Sequence, residues 1–231
     1  MYFTSNKAIS LSVKLKNYNF EFGVVPSIDS PLPRISTERP THKPTFYINL
    51  SSKFPSGSTN SFLTSFANIH FPSCAYLDFR PHPSSGLNER WPEVSAFIKS
   101  LSSVETLATV DYGIDVLQKC PEGELIMPSL RKIKLDNATP EDIHWSFLAV
   151  REKLGVPVSV LYLSGSQIGD WGFCDNFHGM KVVWKSGLGE TEAEYTCGTG
   201  EPEKLNFGYL QRLDEELLEL ALAPVLPPNF Q

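Results

Sequence analysis

At 231 residues the chain exceeds the usual core size of about 100 to 150 residues, yet it is short for two independently cored enzymatic domains. Apolar residues make up 41% and charged residues 20%, enough to offset chain entropy by burial, so wholesale disorder is excluded. The net charge of −6 sits entirely in the tail, where residues 190–231 hold nine acidic and two basic side chains; the nearly neutral remainder lacks the basic field that nucleic-acid binding requires.

In chain order, the first apolar alternation surrounds Leu11 and Val13, and the Pro-rich stretch SPLPRISTERPTHKP follows. Residues 1–44 therefore read as an N-terminal strand-like cap with a Pro-rich segment. Six runs of one pattern come next: Thr45-x-x-Ile48-x-Leu50, Cys74-x-x-Leu77-x-Phe79, Val104-x-x-Leu107-x-Thr109, Leu130-x-x-Ile133-x-Leu135, Val158-x-x-Leu161-x-Leu163 and Gly179-x-x-Val182-x-Trp184. Their central residues are 29, 30, 26, 28 and 21 positions apart, steps in the range of leucine-rich repeats.

Helical spacing separates these runs. Phe62 and Phe66 lie four residues apart, and Val94, Phe97, Ile98 and Leu101 share one helical face. Thr139-Pro140-Glu141-Asp142 opens a further helix with a cap residue, a proline and first-turn acids; Gly155 and Pro157 close it. Strand and helix alternate, and short connections between like-directed strands place the helices on one side of a parallel sheet. The expected fold is α/β: a curved solenoid with its sheet on the concave side and helices on the convex side, spanning 45–188. Residues 189–231 form an acidic C-terminal segment, in which Leu210, Leu213, Leu217 and Leu220 predict an amphipathic capping helix over 203–222.

The segment MPSLRKIKLDN, with Leu130, Ile133, Leu135 and Asn137, comes nearest to the LxxLxLxxN signature. Together with VETLATV (104–110), FLAVREKLGVPVSVLYLS (147–164) and GMKVVW (179–184), it resembles the leucine-rich-repeat half of the F-box-like protein family of mushroom-forming fungi. That resemblance implies a repeat domain that selects the protein to be marked by a ubiquitin ligase, preceded by an F-box that grips the adaptor. Before residue 45 there is no leucine-proline-led helical segment of F-box type, so adaptor binding is carried over to no residue. The chain is expected to be a shortened relative or a partial gene product.

Chemical motifs do not assemble along the sequence. Gly165-Ser166-Gln167-Ile168-Gly169 has Gln where a nucleophile elbow needs Ser, and the five histidines show no HxxxH spacing. Gly198-Thr199-Gly200 lacks the Lys and Ser/Thr of a phosphate loop. Cys74, Cys120, Cys174 and Cys197 form no CxxC and read as reduced, mostly buried thiols. No catalytic residue, metal ligand or cofactor is expected. The start of the chain has no signal-peptide pattern and no run approaches a membrane span, so the expected compartment is cytoplasm or nucleus, with no membrane or nucleic-acid partner.

Binding is better supported, because a solenoid sheet exposes alternate side chains as columns. With the apolar residues turned inward, the first outward column is Tyr47, Tyr76, Thr106, Lys132, Val160 and Lys181. The second is Asn49, Asp78, Ala108, Lys134, Tyr162 and Val183, and the third is Ser51, Arg80, Val110, Asp136, Ser164 and Lys185. Tyr47, Asn49, Tyr76, Asp78, Arg80, Lys132, Lys134, Asp136, Tyr162 and Lys185 are the candidate partner-binding residues of these columns. Val110, Val160 and Val183 imply a covered patch or a register error. Trp171 and Phe173 join the candidates from the loop 165–179, which either forms a contact ridge or folds under the last repeat. The function expected is non-catalytic recognition of a protein; a hydrolase whose site assembles only in space, or a remnant without a partner, is the alternative.

Overall fold

The computed structural model describes residues 9–16, 19–26, 46–50, 64–65, 67, 71, 74–83, 91–119, 125–137, 139–140, 146–164, 169–185 and 191–207; for the first three strands it describes backbone and register. The chain order of strands is β1 (Ile9–Lys16), β2 (Asn19–Pro26), β3 (Phe46–Leu50), β4 (Cys74–Pro81), β5 (Thr106–Thr109), β6 (Lys132–Asp136), β7 (Val160–Ser164), β8 (Lys181–Lys185) and β9 (Glu192–Thr196). Helices α1 (Trp91–Lys99), α2 (Asp111–Gln118) and α3 (Ser146–Lys153) lie between β4 and β7.

The nine strands form one mixed sheet in the order β3-β2-β1-β4-β5-β6-β7-β8-β9. From β4 to β8 each strand pairs in parallel with the next in sequence, and β1 is parallel to β4. β2, β3 and β9 pair antiparallel at the two ends. The shared apolar pattern accounts for the register: Leu77 pairs with Leu107, Leu107 with Ile133, Ile133 with Leu161, and Leu161 with Val182. Alternation then sends Leu77, Phe79, Leu107, Ile133, Leu135, Leu161, Leu163, Val182 and Trp184 into one buried cluster.

The helices cover that same side. Val94, Phe97 and Ile98 of α1, Ile114, Val116 and Leu117 of α2, and Phe147 and Leu148 of α3 all belong to the cluster. Gly155, at φ 74°, ends α3 as its sequence suggests, and its N–H donates to the Glu152 carbonyl at 2.9 Å. Arg151 of α3 is buried and donates from Nη1 to the Ile126 carbonyl and from Nη2 to the Leu130 carbonyl, each at 2.9 Å, fastening the loop before β6. Burial pulls its guanidinium down to about 10, and the nearby Arg131 charge adds to that.

Thr109 occupies an apolar position of the repeat pattern but is fully buried, and its hydroxyl donates to the Phe79 carbonyl at 2.6 Å. Gly113 of α2 backs onto this bond. A Cβ there would stand 1.8 Å from Thr109 Oγ1. Gly113→Ala should therefore lower stability by about 1–3 kcal/mol through overpacking, despite the higher helix propensity of alanine. Chemical denaturation checks this, and a neutral or stabilising result would show that α2 can move off the sheet.

The first register expectation is corrected at the N-terminal end. β3, with Tyr47 and Asn49, is not the neighbour of β4, because β1 and β2 intervene. Ser10 and Ser12 of β1 are the register partners of Tyr76 and Asp78, while Tyr47 pairs with Gly23 and Asn49 with Glu21. Two antiparallel pairings carry the chain away from β4 before residues 71–83 return it beside β1. The helical pattern at 61–66 is represented by Thr64 and Ser65 within the described residues. Most of the capping helix expected over 203–222 lies outside them, and Pro202–Leu205 forms a 3₁₀ helix. Residues 141–145, which contain the acids of the expected helix start, also lie outside the description.

Candidate recognition surface

Opposite the helices, the sheet presents the alternate residues of each strand. The parallel ladders reproduce the expected columns across β4 to β8: Tyr76, Thr106, Lys132, Val160 and Lys181 follow one another, as do Asp78, Ala108, Lys134, Tyr162 and Val183. Asp136 pairs with Ser164 in the third. Tyr76, Asp78, Arg80, Lys132, Lys134, Asp136, Tyr162 and Lys185 are all partly exposed on this face. The backbone therefore brings eight of the twelve candidate residues together on β4, β6, β7 and β8, four strands of one parallel run.

At one end of the face one arginine is held between two aspartates. Arg80 Nε donates to Asp78 Oδ1 at 2.6 Å, and its Nη2 forms an ion pair with Asp136 Oδ2. Asp136 stands two strands away on β6, so the guanidinium reaches across the end of β5, the strand between. Ser164 donates from Oγ toward the Leu135 carbonyl at 3.1 Å and lies against Asp136 Oδ1. Burial by itself lowers the Arg80 guanidinium, but Asp78 and Asp136 outweigh it and the net shift is upward. Burial, reinforced by Asp78 and Asp136 against Arg80, pushes the Tyr76 phenol up to about 12, which keeps its hydroxyl neutral.

The other end carries a second set of charges that the sequence left in the tail. β9 pairs Glu192 with Lys185 and Glu194 with Val183, and Lys181 Nζ reaches Glu194 Oε1 at 3.1 Å. Burial raises the Tyr162 phenol, with Glu192 and Glu194 adding to the shift and Lys181 opposing it. Glu192 and Glu194 are thus surface residues that repeat-based reasoning missed. Their alternation with Ala193 and the buried Tyr195 is the strand signal that marks them.

The valines on this face receive different answers. Val183 is 7% exposed and Ala108 fully buried, whereas Val110 and Val160 are half-buried, and the strand pairing keeps Ala108, Val160 and Val183 in the expected register.

Trp171 requires a correction. It is 0% exposed, within the core cluster, and its ring centroid lies 6.2 Å from that of the partly buried Phe173. A short bridge holds this loop down: Asp170 pairs with Asn206, Trp171 N–H donates to the Leu205 carbonyl at 3.0 Å, and Phe207 N–H donates to the Gly169 carbonyl at 3.1 Å. The aromatic loop is a packing cover over the end of the core, and Trp171 offers no surface to a partner.

Asp175 organises the neighbouring turn, accepting from Tyr195 Oη at 2.7 Å and from the Gly198 N–H at 2.5 Å. Those bonds, the tyrosine's first, hold its carboxyl below the usual range. Cys74, Cys174 and Cys197 are buried and outside any disulfide; burial raises the Cys174 thiol and pushes Cys197 up to about 12, so these two are poor nucleophiles, and Cys120 lies outside the described residues. Among the described residues no helix is long and apolar enough to cross a membrane. No protein-family model, curated protein or solved structure matches the chain at a significant level.

Proposed function

We propose that the chain is a non-catalytic protein-recognition module, built as a leucine-rich-repeat-like solenoid, that binds a protein partner through the face of β4 to β8 opposite α1, α2 and α3. The observation that carries this reading is the register: five parallel strands in sequence order align Tyr76, Asp78, Lys132, Lys134 and Tyr162 on one partly exposed face. Aromatic anchors beside fixed charges supply contact area and select orientation. Strand order also supports it. Ligand clefts in open α/β sheets form where the order reverses, and between β4 and β8 it never does.

The repeat steps and the LxxLxLxxN-like segment support the further proposal that the module is related to the substrate-selecting half of ubiquitin-ligase F-box-like proteins. Affinity capture from native extract tests the recognition reading. The wild-type chain should retain a partner that a Tyr76→Ala/Asp78→Ala/Lys134→Ala variant loses, with the thermal midpoint of the variant within a few degrees of wild type. Equal capture by the two would overturn the face assignment. Hydrolytic turnover abolished by the same substitutions would instead favour a spatially assembled enzyme site.

A further inference from the structure

The charges on the sheet face are unevenly satisfied. Arg80 is paired with both Asp78 and Asp136, a group that keeps one net negative charge, and Lys181 is paired with Glu194. Lys132 and Lys134, between these two sets, are both partly buried, and neither has a carboxylate within ion-pair distance among the described residues. They stand two positions apart on β6, so their side chains leave the same face about 7 Å from each other. Lys134 stands two residues from Asp136, whose carboxylate is engaged by Arg80, and Lys132 lies one step further along the same face.

Their flanks are uncharged. Thr106 and Ala108 pair with them on β5, and Val160 and Tyr162 on β7.

We propose that this part of the face takes an acidic peptide segment of the partner, its carboxylates on Lys132 and Lys134 and an apolar or aromatic side chain against Val160 and Tyr162. The proposal rests on the recognition reading above and names the chemistry of what is recognised. An acidic segment supplies carboxylates to two lysines that form no ion pair with a described residue, while the net-negative Asp78–Arg80–Asp136 group repels it at the β4 end and confines the contact to β5–β7.

A random twelve-residue peptide library, displayed on phage and panned on the full chain, tests this. Recovered peptides should be enriched in Asp and Glu beside an aromatic or aliphatic residue. Their affinity should fall at least about tenfold in Lys132→Glu/Lys134→Glu, and should be unchanged in Lys153→Glu on the helix side. Lys132→Gln/Lys134→Gln provides a second variant should the double charge reversal disturb folding. Recovery without acidic enrichment overturns the proposal, as does recovery of no peptide above background or of acidic peptides that bind all variants equally. If non-acidic peptides are recovered and lost in Tyr76→Ala/Tyr162→Ala, the face still recognises protein and only the acidic chemistry fails. If binding is insensitive to every substitution on the face, the recognition reading fails with it.

Discussion

Replacing Ile133 with aspartate should cost about 4 kcal/mol or more, whereas replacing its neighbour Lys134 with alanine should change stability by less than about 0.5 kcal/mol. Ile133 is 1% exposed and sits between Leu107 and Leu161 in the apolar row, so a carboxylate there would lose water without gaining a partner. Lys134 belongs to the opposite face, is partly exposed and makes no ion pair with a described residue. Urea denaturation of both variants measures the contrast. Comparable losses would mean that β6 does not have one buried and one open side, and the columns would dissolve with it.

Trp171→Ala should be the most damaging truncation in the C-terminal half, at about 3–5 kcal/mol. The indole is fully buried, and its backbone anchors the loop to Leu205, so the deletion both opens a cavity and weakens the bridge that carries residues 205–207 under the core. Phe173→Ala, at a partly exposed ring, should cost less. Thermal unfolding distinguishes the two. A Trp171→Ala protein as stable as wild type would indicate that the loop does not cover the core end.

The parallel register from β4 to β8 was legible because each run centres on a buried apolar residue, Leu77, Leu107, Ile133, Leu161 or Val182, and a one-residue slip would expose it. The placement of β3 was not. A repeat pattern identifies what a strand buries, but Ile48 and Leu11 satisfy the same template, and only non-local pairing decides which lies beside Leu77. The run around Leu11 did contain a usable signal, since two alternating eight-residue stretches separated by two residues form a hairpin, and β1 and β2 pair in that manner.

Helix α2 escaped notice for a different reason. Asp111-Tyr112-Gly113 reads as a turn, and the glycine lowers helix propensity. Its absence of a side chain is what lets the helix approach the Thr109–Phe79 hydrogen bond, a tertiary requirement that local preference cannot express. Asp111 instead accepts from the Tyr112 N–H at 2.7 Å at the helix start.

The columns themselves were readable, but their charge state was not. The sequence places Arg80, Val110 and Asp136 at one level, yet the ion pair forms only because an arginine is long enough to cross two strands. Likewise Glu192 and Glu194 looked like part of an acidic tail until β9 paired with β8 and put Glu194 beside Lys181. Loop aromatics without periodicity left Trp171 open to two interpretations, and the contacts at Leu205 and Asn206 decided between them.

Covalent lysine labelling read by mass spectrometry, with the chain free and then bound to its captured partner, is the most direct measurement. Lys132 and Lys134 should lose most of their reactivity in the complex, while Lys153 on the exposed side of α3 should label at the same rate in both. Protection of Lys153 with undiminished labelling of Lys132 and Lys134 would place the partner on the helices and contradict recognition by the open sheet.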